Sequence, residues 1–293
     1  PAGVEPFLSR VQGIEVTEDG PVWEALPGSA SPPPPWFAAG AVVDPWTYQA
    51  GLSPGGWATI TGLRLSATTA VWNPIEGQPI ATSLGGVTVR INGTPAVLSY
   101  VSETLVNILA PASVPEGPAA IIVERDGVAS APVTVQVKRM HPAIYSLPLR
   151  EAEGDNWYVT AALAGTSRLV GTRRADARVQ RGARPGEWID LYVVGLGRTA
   201  GDFPAGSFFR GAFPLAEPVE VVLGPARLTP EFAGLVSPGL YSVRVRIPED
   251  FPAGDAPVRV ISGEISSAAG VYLTVEAAGA GGESASAAAG ARR

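Results

Sequence analysis

The chain has 293 residues, and its composition excludes several classes of protein before any motif is considered. Hydrophobic residues make up 46% of the chain and charged residues 16%, which supplies enough apolar surface for a core and excludes wholesale disorder. A net charge of −6 argues against a nucleic-acid binder held by phosphate contacts. The apolar residues are too scattered for a membrane-spanning helix, so we expect none. The length suggests two domains.

Cysteine is absent and His141 is the single histidine, which restricts the chemistry open to the chain. Disulfides, thiol nucleophiles and cysteine-based zinc sites are excluded, and one imidazole leaves little basis for a triad or a histidine metal site. His141 precedes Pro142, which favours an extended linker or turn residue. We therefore expect a protein that is not an enzyme and needs no cofactor.

The two ends of the chain differ in composition from the rest. Residues 1–40 contain short alternating pieces and then four prolines at 32–35, which favour extended polyproline II structure. We expect 1–40 to form an arm that these prolines hold away from its own domain. Residues 277–293 are rich in Ala, Gly and Ser and read as a low-complexity tail.

Between the ends, the pattern is that of short strands. Alternating apolar residues at 87–91 are followed by Asn92 and Gly93, the residues that a tight hairpin with positive φ angles prefers. Apolar and polar residues also alternate from Tyr241 to Ile247. Gly and Pro interrupt such runs every 8–12 residues or so, which is typical of a β-sandwich.

The chain also contains an internal repeat. The run PGGW at 54–57 recurs as PGEW at 185–188, and the Ala110-Pro111 pair recurs as Ile247-Pro248, 137 positions later. Each Pro pair leads into another strand-like run. We therefore predict an all-β chain with two tandem immunoglobulin-like β-sandwiches at 41–138 and 139–276.

These repeated segments carry a resemblance to a known family. The runs HPAIYS at 141–146, PGEWIDLYVVGLG at 185–197 and PGLYSVRVRIP at 238–248 resemble the uncharacterised C-terminal domain of acidobacterial, Solibacter-type secreted proteins. The resemblance covers about residues 41–275 and implies export and immunoglobulin-like sandwiches of the TIG type, but no reaction. The chain departs from the family in having His141 in place of the usual Asn and in carrying arginines at 168–184.

Two clusters of charged residues are candidates for binding. Glu151, Glu153 and Asp155 surround Gly154 and form a weak calcium candidate, for which a solvated acidic turn is the default interpretation because the spacing is not that of an EF-hand. The second cluster is basic and either grips anionic groups, including carboxylates of a neighbouring subunit, or forms a solvated segment. Its candidate interaction residues are Arg173, Arg174, Arg178 and Arg181.

The seven tryptophans are divided by position in the repeat. Trp57 and Trp188 occupy equivalent positions, which favours a core role for both. Four others, Trp36, Trp46, Trp72 and Trp157, lie in turn-rich segments and are expected to be more exposed. Of these, Trp72 and Trp157 are the candidate glycan contacts.

These observations favour a non-catalytic structural or interaction subunit of an extracellular filament, surface layer or larger cell-surface complex. The arm is expected to add to a sheet edge of another protein subunit, of the same or another kind, through Ile14, Val16, Trp23 and Trp36. The alternative is a carbohydrate-binding or adhesion module that uses exposed tryptophans to contact extracellular polysaccharide. Nucleic acid and a membrane span are not expected.

Overall fold

The computed structural model describes residues 32–151 and 154–277, and its regular structure is β throughout except for one short 3₁₀ helix at Ala39–Ala41. The prediction of an all-β, immunoglobulin-like chain is confirmed. None of the helical structure within the described residues is long and apolar enough to cross a membrane.

The first sandwich consists of two antiparallel sheets. Its strands are β1 (Val42–Val43), β2 (Trp57–Thr61), β3 (Ala70–Val71), β4 (Ser83–Leu84), β5 (Val87–Ile91), β6 (Thr94–Pro95), β7 (Val97–Val101), β8 (Leu105–Leu109), β9 (Gly117–Arg125), β10 (Val128–Ala129) and β11 (Val133–Val137). One sheet has the strand order β1-β2-β8-β7-β3. The other has the order β10-β9-β5-β4, with β11 paired to β9 and β6 paired to β5.

The second sandwich also consists of two sheets and has additional strands. Its strand pairs are antiparallel except for one parallel pair, which joins 157–158 to 271–272. One sheet has the order β16-β15-β17-β22-β21-β18 with β12 on β17, and the other has the order β13-β14-β25-β23-β19-β20 with β24 on β23. The strands are β12 (Ala143–Ile144), β13 (Ser146–Glu151), β14 (Gly154–Val159), β15 (Ala161–Leu163), β16 (Leu169–Val170), β17 (Trp188–Val194), β18 (Phe213–Pro214), β19 (Glu220–Leu223), β20 (Ala226–Leu228), β21 (Phe232–Ser237), β22 (Leu240–Arg246), β23 (Gly254–Ser262), β24 (Ile265–Ser266) and β25 (Val271–Val275).

Each sandwich has its own hydrophobic core. The first core is built from Phe37 to Val137 and the second from Ile144 to Val275, with Ile, Val and Leu side chains from facing strands. The two-residue period of a strand supplies these residues: in β17, Ile189, Leu191 and Val193 point into the core.

An equivalent hydrogen bond in each sandwich shows that the repeat extends to individual side chains. The hydroxyl of Ser130 accepts from the backbone N–H of Val123 at 3.1 Å, and that of Ser267 accepts from Val260 at 3.0 Å. Both serines lie 137 positions apart, as do their partners, and both follow a short strand that folds back on the sheet. The same sequence signal therefore builds the same edge in both sandwiches.

The predicted hairpin and the predicted arm have different outcomes. Asn92 and Gly93 have φ angles of 50° and 81° and join β5 to β6, as a tight hairpin requires. The prolines at 32–35, in contrast, do not hold the chain away from its own domain. Because Trp36 pairs with Leu63 and Phe37 is buried in the first core, the chain lies against the first sandwich from this segment onward.

Two arginines fix the proline segment to the first sandwich. Arg125 donates to the carbonyl of Pro33 at 3.0 Å, and Arg64 donates to that of Pro34 at 3.1 Å. A polyproline segment has no internal hydrogen bonds, so its carbonyls are free to accept such donors. The expected arm residues Ile14, Val16 and Trp23 lie outside the described residues.

Candidate functional site at the junction of the two sandwiches

The junction begins with a loop that a buried carboxylate shapes. Asp44 is 1% exposed and accepts hydrogen bonds from the backbone N–H groups of Trp46, Thr47 and Gln49 at 2.6–2.9 Å, and from the Thr47 hydroxyl at 2.6 Å. Asp side chains favour such local bonds to backbone N–H groups. The loop is therefore held in one conformation and presents the rings of Trp46 and Tyr48.

Two aromatic pairs join the loop to the second sandwich. Trp46 meets Tyr145 edge to face with ring centroids 5.3 Å apart, and Tyr48 meets Trp157 at 6.4 Å. Burial raises the pKa of the Tyr48 hydroxyl, and nearby Asp44 adds to the rise. Each pair has one ring from each sandwich, so the contacts join the two sandwiches through aromatic side chains.

A third aromatic pair lies at a second place along the junction, next to a backbone contact. Trp72 meets Phe208 edge to face at 6.0 Å. Beside it, the N–H groups of Gly77 and Ile80 donate to the carbonyls of Phe208 and Gly206 at 2.8 and 3.1 Å, and the N–H of Phe208 donates to Gln78 at 2.9 Å. We call this pairing of 77–80 with 206–208 the backbone clamp.

Trp57 makes a polar contact across the junction. Its indole N–H donates to the carbonyl of Pro238 at 2.8 Å. The following residue, Gly239, has a φ of +67°, and a Cβ there would lie 2.6 Å from Cδ1 of Trp57 and 2.4 Å from Cδ1 of Leu109. Glycine thus allows both the turn and the close approach.

The linker between the sandwiches is held from both sides. Lys138 donates its backbone N–H to Leu52 at 2.8 Å, and His141 donates its backbone N–H to Gly195 at 2.8 Å. Arg139 forms an ion pair with Glu217. The His141 ring nitrogen Nε2 lies 3.1 Å from the carbonyl of Gln49, and burial lowers the pKa of His141. The histidine therefore contributes to the junction in its neutral form.

A cavity of about 710 Å³ also lies between the sandwiches. Its wall is mostly apolar and combines side chains such as Pro95 and Leu109 of the first sandwich with Phe209, Leu235 and Tyr241 of the second. Burial raises the pKa of the Tyr241 hydroxyl, which donates to the carbonyl of Gly197. The cavity is thus framed by the elements that form the junction.

The structure corrects the predicted roles of the tryptophans. Trp57 and Trp188 are not core residues, because each begins its strand on the outward side of the two-residue period; Trp188 is 40% exposed. Trp72 and Trp157, predicted to be exposed glycan contacts, are half-buried against rings of the other sandwich. Trp36 is also half-buried and pairs with Leu63.

Arg178 and Arg181 bind carboxylates of their own sandwich. Arg178 donates to the buried Asp176 at 2.7 Å and to the hydroxyl of Tyr145 at 3.0 Å. The side-chain hydrogen bond from Arg178 lowers the pKa of Asp176. Arg181 pairs with Glu187 at 2.6 Å. Arg173 and Arg174, like Arg178, lie at exposed positions.

The weak calcium candidate spans the end of β13 and the start of β14. Glu151 ends β13, Gly154 begins β14, and Glu153 is outside the described residues. Within the described residues, no three His, Asp or Glu side chains are grouped so that they could hold a metal ion.

Sequence reasoning missed the partners of the tryptophans, namely Tyr48, Tyr145, Phe208 and Pro238. The Asp44 to Gln49 segment does carry a turn signal in its sequence, since Asp precedes Pro and Thr. That signal predicts a turn but not which ring of a distant segment the turn meets.

Comparison with known proteins identifies a known domain type in the first sandwich. Residues 52–137 match the model of the IPT/TIG domain. This supports the TIG-type fold expected from the resemblance, whereas none of the comparisons supports the narrower acidobacterial family. No curated protein sequence matches the chain.

Several solved structures show distant similarity. The Bacteroides ovatus protein SGBP-B of a mixed-linkage glucan utilization locus, in complex with a heptasaccharide, is 14% identical with a TM-score of 0.33, and the alignment covers 85% of this chain and 46% of that one. Domains 5–6 of the S-layer protein SbsC are 12% identical with a TM-score of 0.24, covering 82% and 98%. The Yersinia pseudotuberculosis adhesin InvE is 14% identical with a TM-score of 0.20, covering 77% and 56%. This chain thus spans about half the length of SGBP-B.

Proposed function

We propose that the chain is a non-catalytic structural or interaction subunit of an extracellular or cell-surface assembly, in which the two sandwiches act as one rigid unit. The observation that carries the proposal is the junction: Trp46, Trp57, Trp72 and Trp157 all contact the other sandwich. Large aromatic side chains are used here to fix one domain against the next. The extracellular placement is the part of the proposal that the sequence resemblance implies.

The energetics of the junction support rigidity. Neighbouring domains of one chain usually move relative to each other unless their interface is large and apolar. Here, three aromatic pairs contribute about 0.5–1.5 kcal/mol each beyond their buried area. The backbone clamp adds hydrogen bonds at a separate place, so rotation about the 138–142 linker has to break contacts on both sides.

The proposal places the connection to a partner at the end of the first sandwich. Strand β2 starts at the junction with Trp57 and ends near Leu63, where Trp36 pairs. The chain before residue 32 therefore joins the first sandwich at the end away from the second. From there, the segment that contains Ile14 and Val16 is proposed to add as a strand to a sheet edge of a neighbouring subunit.

A truncation tests this role. The deletion is made at 1–31 rather than 1–40 because Phe37 is 3% exposed in the first core. Sedimentation velocity and negative-stain imaging at rising concentration compare the truncated and full chains, with the melting temperature as a control for folding. We expect the full chain to assemble and the truncated chain to stay monomeric. The two proteins should have equal melting temperatures. Equal assembly of both proteins, or a full chain that stays monomeric, would refute the connector role.

A further inference from the structure

The outward face of the second sandwich carries a row of side chains that the junction does not use. In β17, the residues that alternate with the core positions are Trp188, Asp190 and Tyr192. On the neighbouring strand β22, their register partners are Arg246, Arg244 and Ser242. On β21, Phe232 is opposite Arg244 and Gly234 is opposite Ser242. Three strands thus bring aromatic and polar side chains to one face.

A fixed ion pair lies at the centre of this face. Arg244 donates to both carboxylate oxygens of Asp190, at 2.7 and 3.0 Å. The Asp190 side chain is 11% exposed, that of Arg244 is 33% exposed, and Glu231 lies 3.9 Å from Arg244 with its side chain 55% exposed. The bidentate bond raises the pKa of Arg244 and holds both groups in one geometry.

The same residues line a groove. It has a volume of about 430 Å³, and its lining includes Tyr192, Phe232, Ser242 and the ion pair. Gly234 leaves room for the Phe232 ring, since a Cβ there would lie 2.6 Å from Cζ of Phe232. The groove is therefore bordered by two aromatic rings, with a small hydroxyl residue between them.

Trp188 extends the aromatic surface beyond the groove. It precedes Asp190 by one step of the alternation and is 40% exposed, which makes it one of three large hydrophobic side chains that are exposed within the described residues. Its register partner Arg246 is paired with Glu249 at 2.6 Å. An exposed indole next to a polar groove has an apolar face and a wet edge available for a ligand.

This combination fits a sugar better than an anion. A pyranose ring has an apolar face that stacks on aromatic rings, and its hydroxyls both donate to carboxylates and accept from a guanidinium. Arg244 and Arg246 are each neutralised by a carboxylate, and Glu231 adds a further negative charge, so the face does not attract an anionic polymer. We propose that the groove and Trp188 bind a neutral polysaccharide. This role goes beyond the structural one and does not depend on the N-terminal segment.

Affinity electrophoresis tests the site. The full chain is run in native gels that contain a soluble neutral polysaccharide (β-glucan, xyloglucan, galactomannan or dextran) or the anionic polygalacturonate. We expect retardation by at least one neutral polymer and none by polygalacturonate. Trp188→Ala, at an exposed position, is expected to weaken the interaction roughly tenfold because it removes a stacking surface. Arg244→Gln is expected to weaken it as well.

Trp72→Ala is the matched control, because it removes a tryptophan at the junction. It should bind the retarding polysaccharide as the unmodified chain does, and the thermal unfolding of each variant is measured alongside. The proposal is overturned if no neutral polysaccharide retards the chain, if polygalacturonate retards it instead, or if folded Trp188→Ala binds with unchanged affinity. Since assembly is measured separately with the 1–31 deletion, failure here leaves the structural role intact.

Discussion

At the scale of single residues, the junction depends on positions where the backbone and a ring come into direct contact. Gly239 is the clearest example. Its positive φ disfavours any residue with a Cβ, and the nearby Trp57 and Leu109 leave no room for one. Gly263 has a similar φ of +58° but nothing within 4 Å of its Cβ position. Substitution of Gly263 therefore measures the free-energy cost of the left-handed backbone alone. Substitution of Gly239 adds the cost of the steric overlap.

We expect Gly239→Ala to destabilise the chain more than Gly263→Ala. Both substitutions force a left-handed conformation on alanine, at about 1–2 kcal/mol. Only at Gly239 does the methyl group also overlap the other sandwich, which adds about 1–3 kcal/mol. Urea denaturation measures the two losses. Equal losses would mean that the approach of Trp57 to Gly239 is not a tight contact.

His141 makes the junction sensitive to pH. Burial lowers its pKa in the folded chain, so the unfolded chain takes up a proton first as the pH falls. The stability that depends on neutral His141 is therefore complete above the unfolded pKa of about 6.5 and declines as the pH falls from there toward the lower folded value. Protonation of carboxylates at lower pH also lowers the stability of the folded chain. A variant without His141 is therefore needed to isolate the contribution of the histidine.

We expect the stability difference between the unmodified chain and His141→Gln to change between pH 7.5 and pH 5.5, in favour of the variant at the lower pH. His141 is the single histidine, so the difference isolates its titration. Urea denaturation at the two pH values provides the measurement. A difference that is the same at both values would show that His141 titrates normally in the folded chain.

At the scale of elements, much of the fold was predictable from the sequence. The hairpin at Asn92 and Gly93 and the strand alternation in β22 depend on local rules, which the sequence displays directly. The roles of Trp72 and Trp157 were not predictable in this way. Their partners lie in segments far away in the sequence, and no local pattern specifies which rings meet.

The outward face of β17 is an intermediate case. The alternation of Trp188, Asp190 and Tyr192 against the core positions is visible in the sequence once the strand is assigned. The match of PGEW to PGGW predicts a core tryptophan instead, because a position that recurs in both repeats is expected to be a buried one. In fact, both tryptophans point outward, one toward the other sandwich and one toward solvent.

The duplicated serine bond provides a test at this scale. Ser130→Ala and Ser267→Ala each leave a backbone N–H of β9 or β23 without its hydroxyl partner. Because both serines are buried, we expect each variant to lose about 1–3 kcal/mol of unfolding free energy. Ser113→Ala, at an exposed position, serves as the control. Losses that differ strongly between the two sites would argue against equivalent edges.

At the scale of the whole molecule, the proposed consequence of the junction is that the two similar sandwiches act as one rigid unit. Aromatic pairs, the backbone clamp and the held linker act at different places around the junction, so no single contact serves as a pivot. We expect a rigid unit of this kind to transmit force and to present its outward faces in fixed directions. Both the connector role and the polysaccharide face would benefit from that geometry.

The most direct test is the distribution of distances between the two sandwiches. Because the chain has no cysteine, Arg90→Cys and Arg259→Cys place spin labels at one exposed position in each sandwich without background labelling. Double electron–electron resonance should give a single narrow distance distribution, which broadens when Trp46→Ala and Trp72→Ala are combined. A broad distribution in the labelled chain without the tryptophan changes would contradict the rigid junction.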